Sequence, residues 1–549
     1  MARVFTLATA LSFLVGSAAG STPGSVRRPV DLPGAVAVLD PGGQVAARLP
    51  VDPAGTRTAV PTGPSHPSQV YSGNGVRFRL PPGWRVDDAA PAVMTRLQAP
   101  GAVMEVYVQD LRADLADART YIEYGHRSVL KQWNGIRLLG DESATLAGKT
   151  ARIVSWSRPA LLRLQEDRRF YREIDLVESP RLVVTILLKA TESEYVAAQR
   201  AQLDLARSVV PDGSPPRQQL PDPPAGRDWR EWQGRTPLRW EVPESGLIWG
   251  IFDPLLAPGP TWNYAGFREY EKDLGVRFGV LMTYQSFGQP FPTAELEMAA
   301  RDGRLVMLTL QSWHPVERER VYSEPLSLTL RILSGEFDEY LRTYAQAARE
   351  WGRPFFFRLD NEMNTDWVPW GAFQYGKDSE LYRQAWRYVW EIFRAEGADN
   401  AIWVWNPNDT AFPNWKWNHH TVYWPGSRYV DWVGLTAYNL GNSNPGSRWR
   451  TFREAYGPPY DEYRRLYPGK PLMITEFASH SGPGDKAQWI RDMFEALKTD
   501  FREIKIAVWW NGTEGPRQYR LDSSPESRRA FVEGLRDPYF VNPIRFVGS

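Results

Sequence analysis

Beyond residue 246 the chain is punctuated by short apolar runs at 247–252, 278–284, 305–310, 355–359, 401–405, 432–438, 471–475 and 504–509. Between several of them the apolar positions step with helical period: Leu381, Ala385, Val389 and Ile392 form one stripe, and Ile490, Met493, Phe494 and Leu497 another. Strand alternating with helix means parallel strands. Eight such runs over roughly 270 residues have the size and count of a (β/α)8 TIM barrel, whose chemistry sits at the C-terminal ends of its strands. A doubly wound sheet is the alternative fold.

The preceding region has a different rhythm. Residues 76–80 and 104–108 alternate apolar and other side chains, 181–188 is almost continuously apolar, and 115–133 and 192–208 are patterned as helices. This predicts an α+β domain with a mostly antiparallel sheet. Stretches rich in Pro, Gly, Ala and Ser flank it and read as linkers. Arg3, an apolar run at 4–15 and Gly16-Ser-Ala-Ala-Gly20 fit a secretory signal. The expected organisation is therefore a signal at 1–20, a flexible linker at 21–68, the α+β domain at 69–210, a Pro-rich linker at 211–240 and the barrel at 241–545. A secreted location follows, and the Pro-rich boundary predicts few contacts between the two domains.

Composition narrows the chemistry. Among 549 residues, 65 Lys and Arg balance 64 Asp and Glu, so no global field recruits nucleic acid or an anionic membrane. No later stretch is long enough for a membrane span. Cysteine is absent, which excludes disulfides, thiolate nucleophiles and Cys-ligated metals. His419 and His420 are adjacent, without the spacing and glutamate of a zinc helix, so neither metal nor cofactor is expected. Tryptophan is as frequent as tyrosine, with 24 copies of each, and all but Trp84, Trp133 and Trp156 lie at or beyond residue 229. Flat aromatic faces suit sugars, and also the core of a large barrel.

Just past the fourth apolar run stands Arg358-Leu-Asp-Asn-Glu-Met-Asn364, and the seventh ends in Ile474-Thr-Glu-Phe-Ala-Ser479. Each brings a glutamate to one rim. Glu362 and Glu476 are thus a candidate pair for glycoside hydrolysis, in which one carboxyl protonates the leaving oxygen and the other attacks the anomeric carbon. The longer motifs resemble glycoside hydrolase family 26, of the clan of retaining barrel hydrolases. They are Asn361-Glu-Met-Asn-Thr-Asp-Trp-Val-Pro-Trp-Gly371, Trp403-Val-Trp-Asn-Pro-Asn408, Val430-Asp-Trp-Val-Gly-Leu-Thr-Ala-Tyr-Asn439, Lys470-Pro-Leu-Met-Ile-Thr-Glu-Phe477 and Ser312-Trp-His314. Phe78-Arg-Leu-Pro-Pro-Gly-Trp84 weakly resembles PsbP-like domains, whose ligand here is unassigned.

The family resemblance implies that Glu362 is the acid/base, Glu476 the nucleophile and Tyr438 a hydroxyl partner of the nucleophile. Glu362 needs a raised pKa, to which Trp367 and Trp370 are expected to contribute an apolar surround, while Arg358 and Tyr438 supply donors to Glu476. His314 is expected to bond a sugar hydroxyl. Trp405 is expected in the cleft; strand alternation sends one of Trp509 and Trp510 elsewhere without fixing which, and Trp509 is taken as the cleft residue. The family usually has His before its acid/base and Met-Asn-Gly after it, where this chain has Asn361 and Met363-Asn364-Thr365. Resemblance to the wider clan, where Asn is usual in that place, implies a bond from Asn361 to a sugar 2-OH. The implied function is a mannan 1,4-β-mannosidase-like endo-β-glycosidase acting on a polysaccharide. β-Glucan, xylan and bacterial exopolysaccharide are alternative substrates, and a silent polysaccharide-binding barrel is the alternative role.

Overall fold

The apolar runs become the eight strands of a closed parallel barrel: β1 (Ile248–Phe252), β2 (Val280–Ser286), β3 (Leu305–Gln311), β4 (Phe355–Leu359), β5 (Ala401–Trp405), β6 (Trp432–Asn439), β7 (Leu472–Ser479) and β8 (Ile504–Trp510). The runs do not alternate with polar residues because both faces of each strand are buried. Ile248, Val280, Met282, Met307, Phe356, Val404, Met473 and Val508 cluster along one face of the strands, and Trp249, Ile251, Leu281, Phe357 and Trp403 pack with the helices on the other. Both sequence stripes are buried, in helices Ser379–Ala395 and Lys486–Thr499. This computed structural model describes residues 69–113, 116–218, 245–257, 262–312, 327–444 and 446–540. It also gives the backbone of the pairs Ala35–Leu39 with Val45–Pro50, inside the stretch read as linker, and Arg239–Trp240 with Phe546–Val547. The signal segment and His314 lie outside the described residues. Among the described residues no helix is long and apolar enough to cross a membrane.

The N-terminal region contains a seven-stranded antiparallel sheet in the order Arg85–Val86, Thr95–Ala99, Ala102–Asp110, Leu182–Ala190, Phe170–Ser179, Lys149–Ser157, Arg137–Leu146. Helix Tyr195–Ser208 covers one face, over Met104, Val106, Ile174, Ile186 and Leu188. The other face carries Glu105, Tyr107, Tyr171, Glu173, Asp175 and Lys189, all buried.

This second face is not solvated: it is clamped to the barrel, which overturns the expectation of few contacts across the boundary. Lys377 donates to Glu173 (2.5 Å), Lys189 to both Glu105 and Asp378 (2.8 Å each), and the Tyr171 hydroxyl to Asp378 (2.9 Å). Asp378 also caps helix Ser379–Ala395 by accepting from the Glu380 amide (3.2 Å). Arg96 pairs with Glu380 and Arg163 with Asp338, at 2.8 Å each. Rings interlock beside these charges, Tyr121 with Trp415 at 4.7 Å and Tyr124 with Phe373 at 5.1 Å. The physical reasons are charge complementarity and a shared apolar cluster, to which Met94, Leu111, Tyr121, Ile122 and Val183 belong together with residues of the barrel. Polar residues alternating along a strand normally face water, but here Glu173 and Lys189 meet Lys377 and Asp378 of the barrel, while Glu105 pairs with Lys189 and Asp175 with His126 inside the N-terminal domain.

Candidate active site

β7 delivers Glu476 into the mouth of the barrel, where three donors converge on it. The Tyr438 hydroxyl donates to Oε1 (2.6 Å), and the Tyr284 hydroxyl (2.5 Å) and Arg358 Nη2 (3.0 Å) donate to Oε2. Burial and then the negative charge of Glu476 hold both phenols well above their ordinary pKa, so they remain donors. Arg358 is fully buried and fixed on every side: Nε to Thr309 Oγ1 (2.7 Å), Nη1 to Asn406 Oδ1 (2.9 Å), and its face against the Tyr284 ring. Thr436 in turn holds the Asn406 side chain. The arrangement fixes the position of the carboxylate among three donors, the placement required of a nucleophile.

Glu362 follows β4 in an unusual backbone conformation. Its φ is +56° and that of Asp360 is +45°, a left-handed region in which side chains with a Cβ are strained, at roughly 1–2 kcal/mol per residue. Surrounding hydrogen bonds over-determine this geometry. The Glu362 amide donates to Asn406 O (2.8 Å), Thr365 Oγ1 to Glu362 O (2.8 Å), Trp370 Nε1 to Asn361 O (2.7 Å), and Ser312 N and Oγ to the Asp360 carboxylate (2.7 and 2.8 Å). Burial, and next the charge of Glu476, push the Glu362 carboxyl up to about 8; Glu514 and Asp409 add to this and Arg358 opposes it. The two glutamates therefore occupy contrasting environments, one favouring the proton and one set among three donors, an arrangement suited to an acid beside a nucleophile.

The other residues singled out in the sequence divide. Arg358 and Tyr438 touch Glu476 directly. Asn361 is nearly buried beside Glu362 and accepts from Gln311 Nε2 at 3.0 Å. Trp367 lies half-buried on the loop after β4, its ring 5.0 Å from that of the exposed Phe412. Trp370 is buried and braces the loop that carries Glu362 through Asn361. Two placements are corrected. Trp405 is fully buried on the helix side of β5 among Trp424, His420 and Tyr467, and Trp509 is fully buried against Phe477 and Phe531, donating to Tyr519 O. In a strand buried on both faces, hydrophobicity does not say which side chain points inward. The half-buried Trp510 is the one turned toward the site, 6.4 Å from Tyr438.

Sequence reasoning missed Tyr284 and Glu514. Tyr284 stands near the end of β2, at the same rim as the glutamates, and a polar hydroxyl closing an otherwise apolar run was the available signal. Glu514 lies in the hairpin formed by Thr513–Glu514 and Arg517–Gln518 after β8, paired with Arg517 at 2.7 Å. His419 and His420 meet one carboxylate, Glu462, at 3.8 and 3.1 Å. The His419 ring also bonds Thr421, and the His420 ring Tyr467.

Residues 317–454, a span that contains Glu362 but not Glu476, match the sequence profile of Glycosyl hydrolase family 26. The chain is 31% identical over 237 residues to Endoglucanase H of Acetivibrio thermocellus, an overlap of 43% of this chain and 24% of that protein. It is 37% identical over 176 residues to a mannan endo-1,4-beta-mannosidase of Bacillus subtilis, covering 30% of this chain and 41% of the relative. It thus spans only a minor part of the length of these curated relatives. A GH26 beta-mannanase of Bacteroides ovatus aligns in structure over 56% of this chain and 91% of its own, with a TM-score of 0.40 and 18% identity.

Proposed function

Taking as premise that the barrel belongs to glycosyl hydrolase family 26, we propose that the protein is a secreted endo-β-glycosidase that cleaves β-mannan with retention of configuration. The observation carrying this reading is the contrast between Glu362, pushed up to about 8, and Glu476, held by three donors. Glu362 protonates the glycosidic oxygen while Glu476 attacks the anomeric carbon, forming a glycosyl-enzyme. That bond removes the negative charge of Glu476, one of the causes that raise the Glu362 pKa. Glu362 therefore becomes a stronger acid at the moment it has delivered its proton, and is left as the base that activates water. β-Glucan is the second substrate, favoured by the likeness to an endoglucanase and by Asn361 standing where the family usually has His. The test is the intact protein on mannan, mixed-linkage glucan, xylan and bacterial exopolysaccharide, reading new reducing ends; silence on all of them would favour the binding barrel.

Two further expectations belong here. Glu362 must carry its proton in the free enzyme, so kcat/KM should fall as pH rises through about 8, a limb read directly in a pH profile. Asn361→His should move the ratio of kcat/KM for aryl mannobioside over aryl cellobioside upward by roughly tenfold. Amide and imidazole present different donor geometry to a 2-OH that is axial in mannose and equatorial in glucose. An unchanged ratio would mean that Asn361 does not read this hydroxyl.

A further inference from the structure

The loop that follows the acid/base has two sides. Its inner side holds the strained turn at Asp360 and Glu362 through Trp370, whose indole bonds Asn361 O, and Thr365, whose hydroxyl bonds Glu362 O. Gly371 packs so closely on this turn that a Cβ there would lie 2.6 Å from Thr365 O. Within the loop, Gln374 Nε2 donates to Asp366 O (2.7 Å) and the Tyr375 hydroxyl to Trp370 O (2.9 Å). Its outer side is covered by the N-terminal domain. The Tyr124 hydroxyl donates to the Asp366 carboxylate, Asn134 Nδ2 donates to Gln374 O (2.9 Å), and a Cβ at Gly376, whose φ is +80°, would lie 2.7 Å from the Trp156 indole nitrogen. Lys377 and Asp378 then close the segment with their buried ion pairs.

We infer that the N-terminal domain is a positioning element of the catalytic site: through Tyr124 and Asn134 it holds the loop 363–378, and the loop holds Glu362 in its left-handed conformation. Strained backbone persists only where its surroundings leave it no relaxed alternative. Several of the contacts that fix Glu362 come from a loop that is itself pinned on its outer side by residues more than two hundred positions away in the chain. Loosening the pin releases the loop, admits water and moves the carboxyl away from the scissile oxygen. The inference rests on the hydrolase reading above for its catalytic consequence.

Tyr124→Phe is the mild test, because it deletes one hydroxyl and keeps the ring against Phe373 and Trp415. Proton donation matters little when the leaving group is good, so kcat/KM on 2,4-dinitrophenyl β-mannobioside should stay within about twofold of the parent. On β-mannan, which needs the acid, kcat/KM should fall about tenfold, and the alkaline limb of the pH profile should move to lower pH as water reaches Glu362. Asp366→Asn keeps an acceptor for Tyr124 and should behave as the parent on both substrates. Hydrogen exchange in the peptide 360–378 should quicken in Tyr124→Phe and not in Asp366→Asn. Equal losses on both substrates, or an unmoved alkaline limb with unchanged exchange, would overturn the inference. A parent protein inactive on both substrates would instead sink the hydrolase reading, and faster exchange in Tyr124→Phe would still support the mechanical link.

Discussion

Glu476→Ala is expected to lower kcat by on the order of 10⁵-fold, since removing a nucleophile from a fixed constellation forfeits nearly all of its advantage. Sodium azide should then restore cleavage of an activated aryl glycoside, giving the glycosyl azide with inverted configuration, because the small anion enters the space left by the carboxylate. Glu362→Ala should differ: with a good leaving group it should release one equivalent rapidly and then stall, for want of a base. Product configuration by NMR and burst amplitude by stopped flow distinguish the two. Glu476→Ala also strips Arg358 of its only carboxylate among the described contacts, so the melting temperature of that variant must be measured alongside. Wild-type rates in both variants would make the pair structural.

Lys189→Met is expected to destabilise the intact protein by about 3–5 kcal/mol, a loss typical of breaking one side of a buried ion pair. Methionine nearly preserves the volume, so the loss would come from leaving Glu105 and Asp378 buried without their ammonium partner. Asp378 caps helix Ser379–Ala395, and the damage should extend to the barrel. Arg453→Met, which breaks the exposed pair with Asp500, is the control and should cost less than about 1 kcal/mol. Denaturant unfolding of the two variants decides it. A neutral Lys189→Met would show that the interface charges do not bind the domains together.

The barrel was legible because each strand is short and apolar and several are separated from the next by a helical pattern, and the glutamate pair because Glu362 and Glu476 stand just past two of those runs. What was not legible has common physical roots. Burial on both faces erases the alternation that would have sent Trp405 and Trp509 to the helix side and Trp510 to the cleft. The interface failed to show for the opposite reason. Glu105, Glu173 and Asp175 stand at alternating positions and Lys189 closes an apolar run, and alternation of charge with apolar residues is the pattern of a face in water. The partner charges at Lys377 and Asp378, roughly two hundred residues beyond Glu173 and Lys189, are part of what turns that pattern into an interface. The left-handed turn at Glu362 leaves no mark either, since the positions are Asp and Glu rather than glycine.

The charged patch of that interface bears on how the chain is made. Synthesis proceeds from the N-terminus, so the sheet ending at Ala190 is complete while Asp378 is still unmade; at ordinary elongation rates the gap is roughly 10 to 40 seconds. An apolar docking face would spend that interval inviting association with neighbouring nascent chains. A face of glutamates, an aspartate and a lysine, part of it already paired within the domain as Glu105 with Lys189 and Asp175 with His126, stays soluble through that interval, and Glu173 and Lys189 gain their barrel partners only when Lys377 and Asp378 are made.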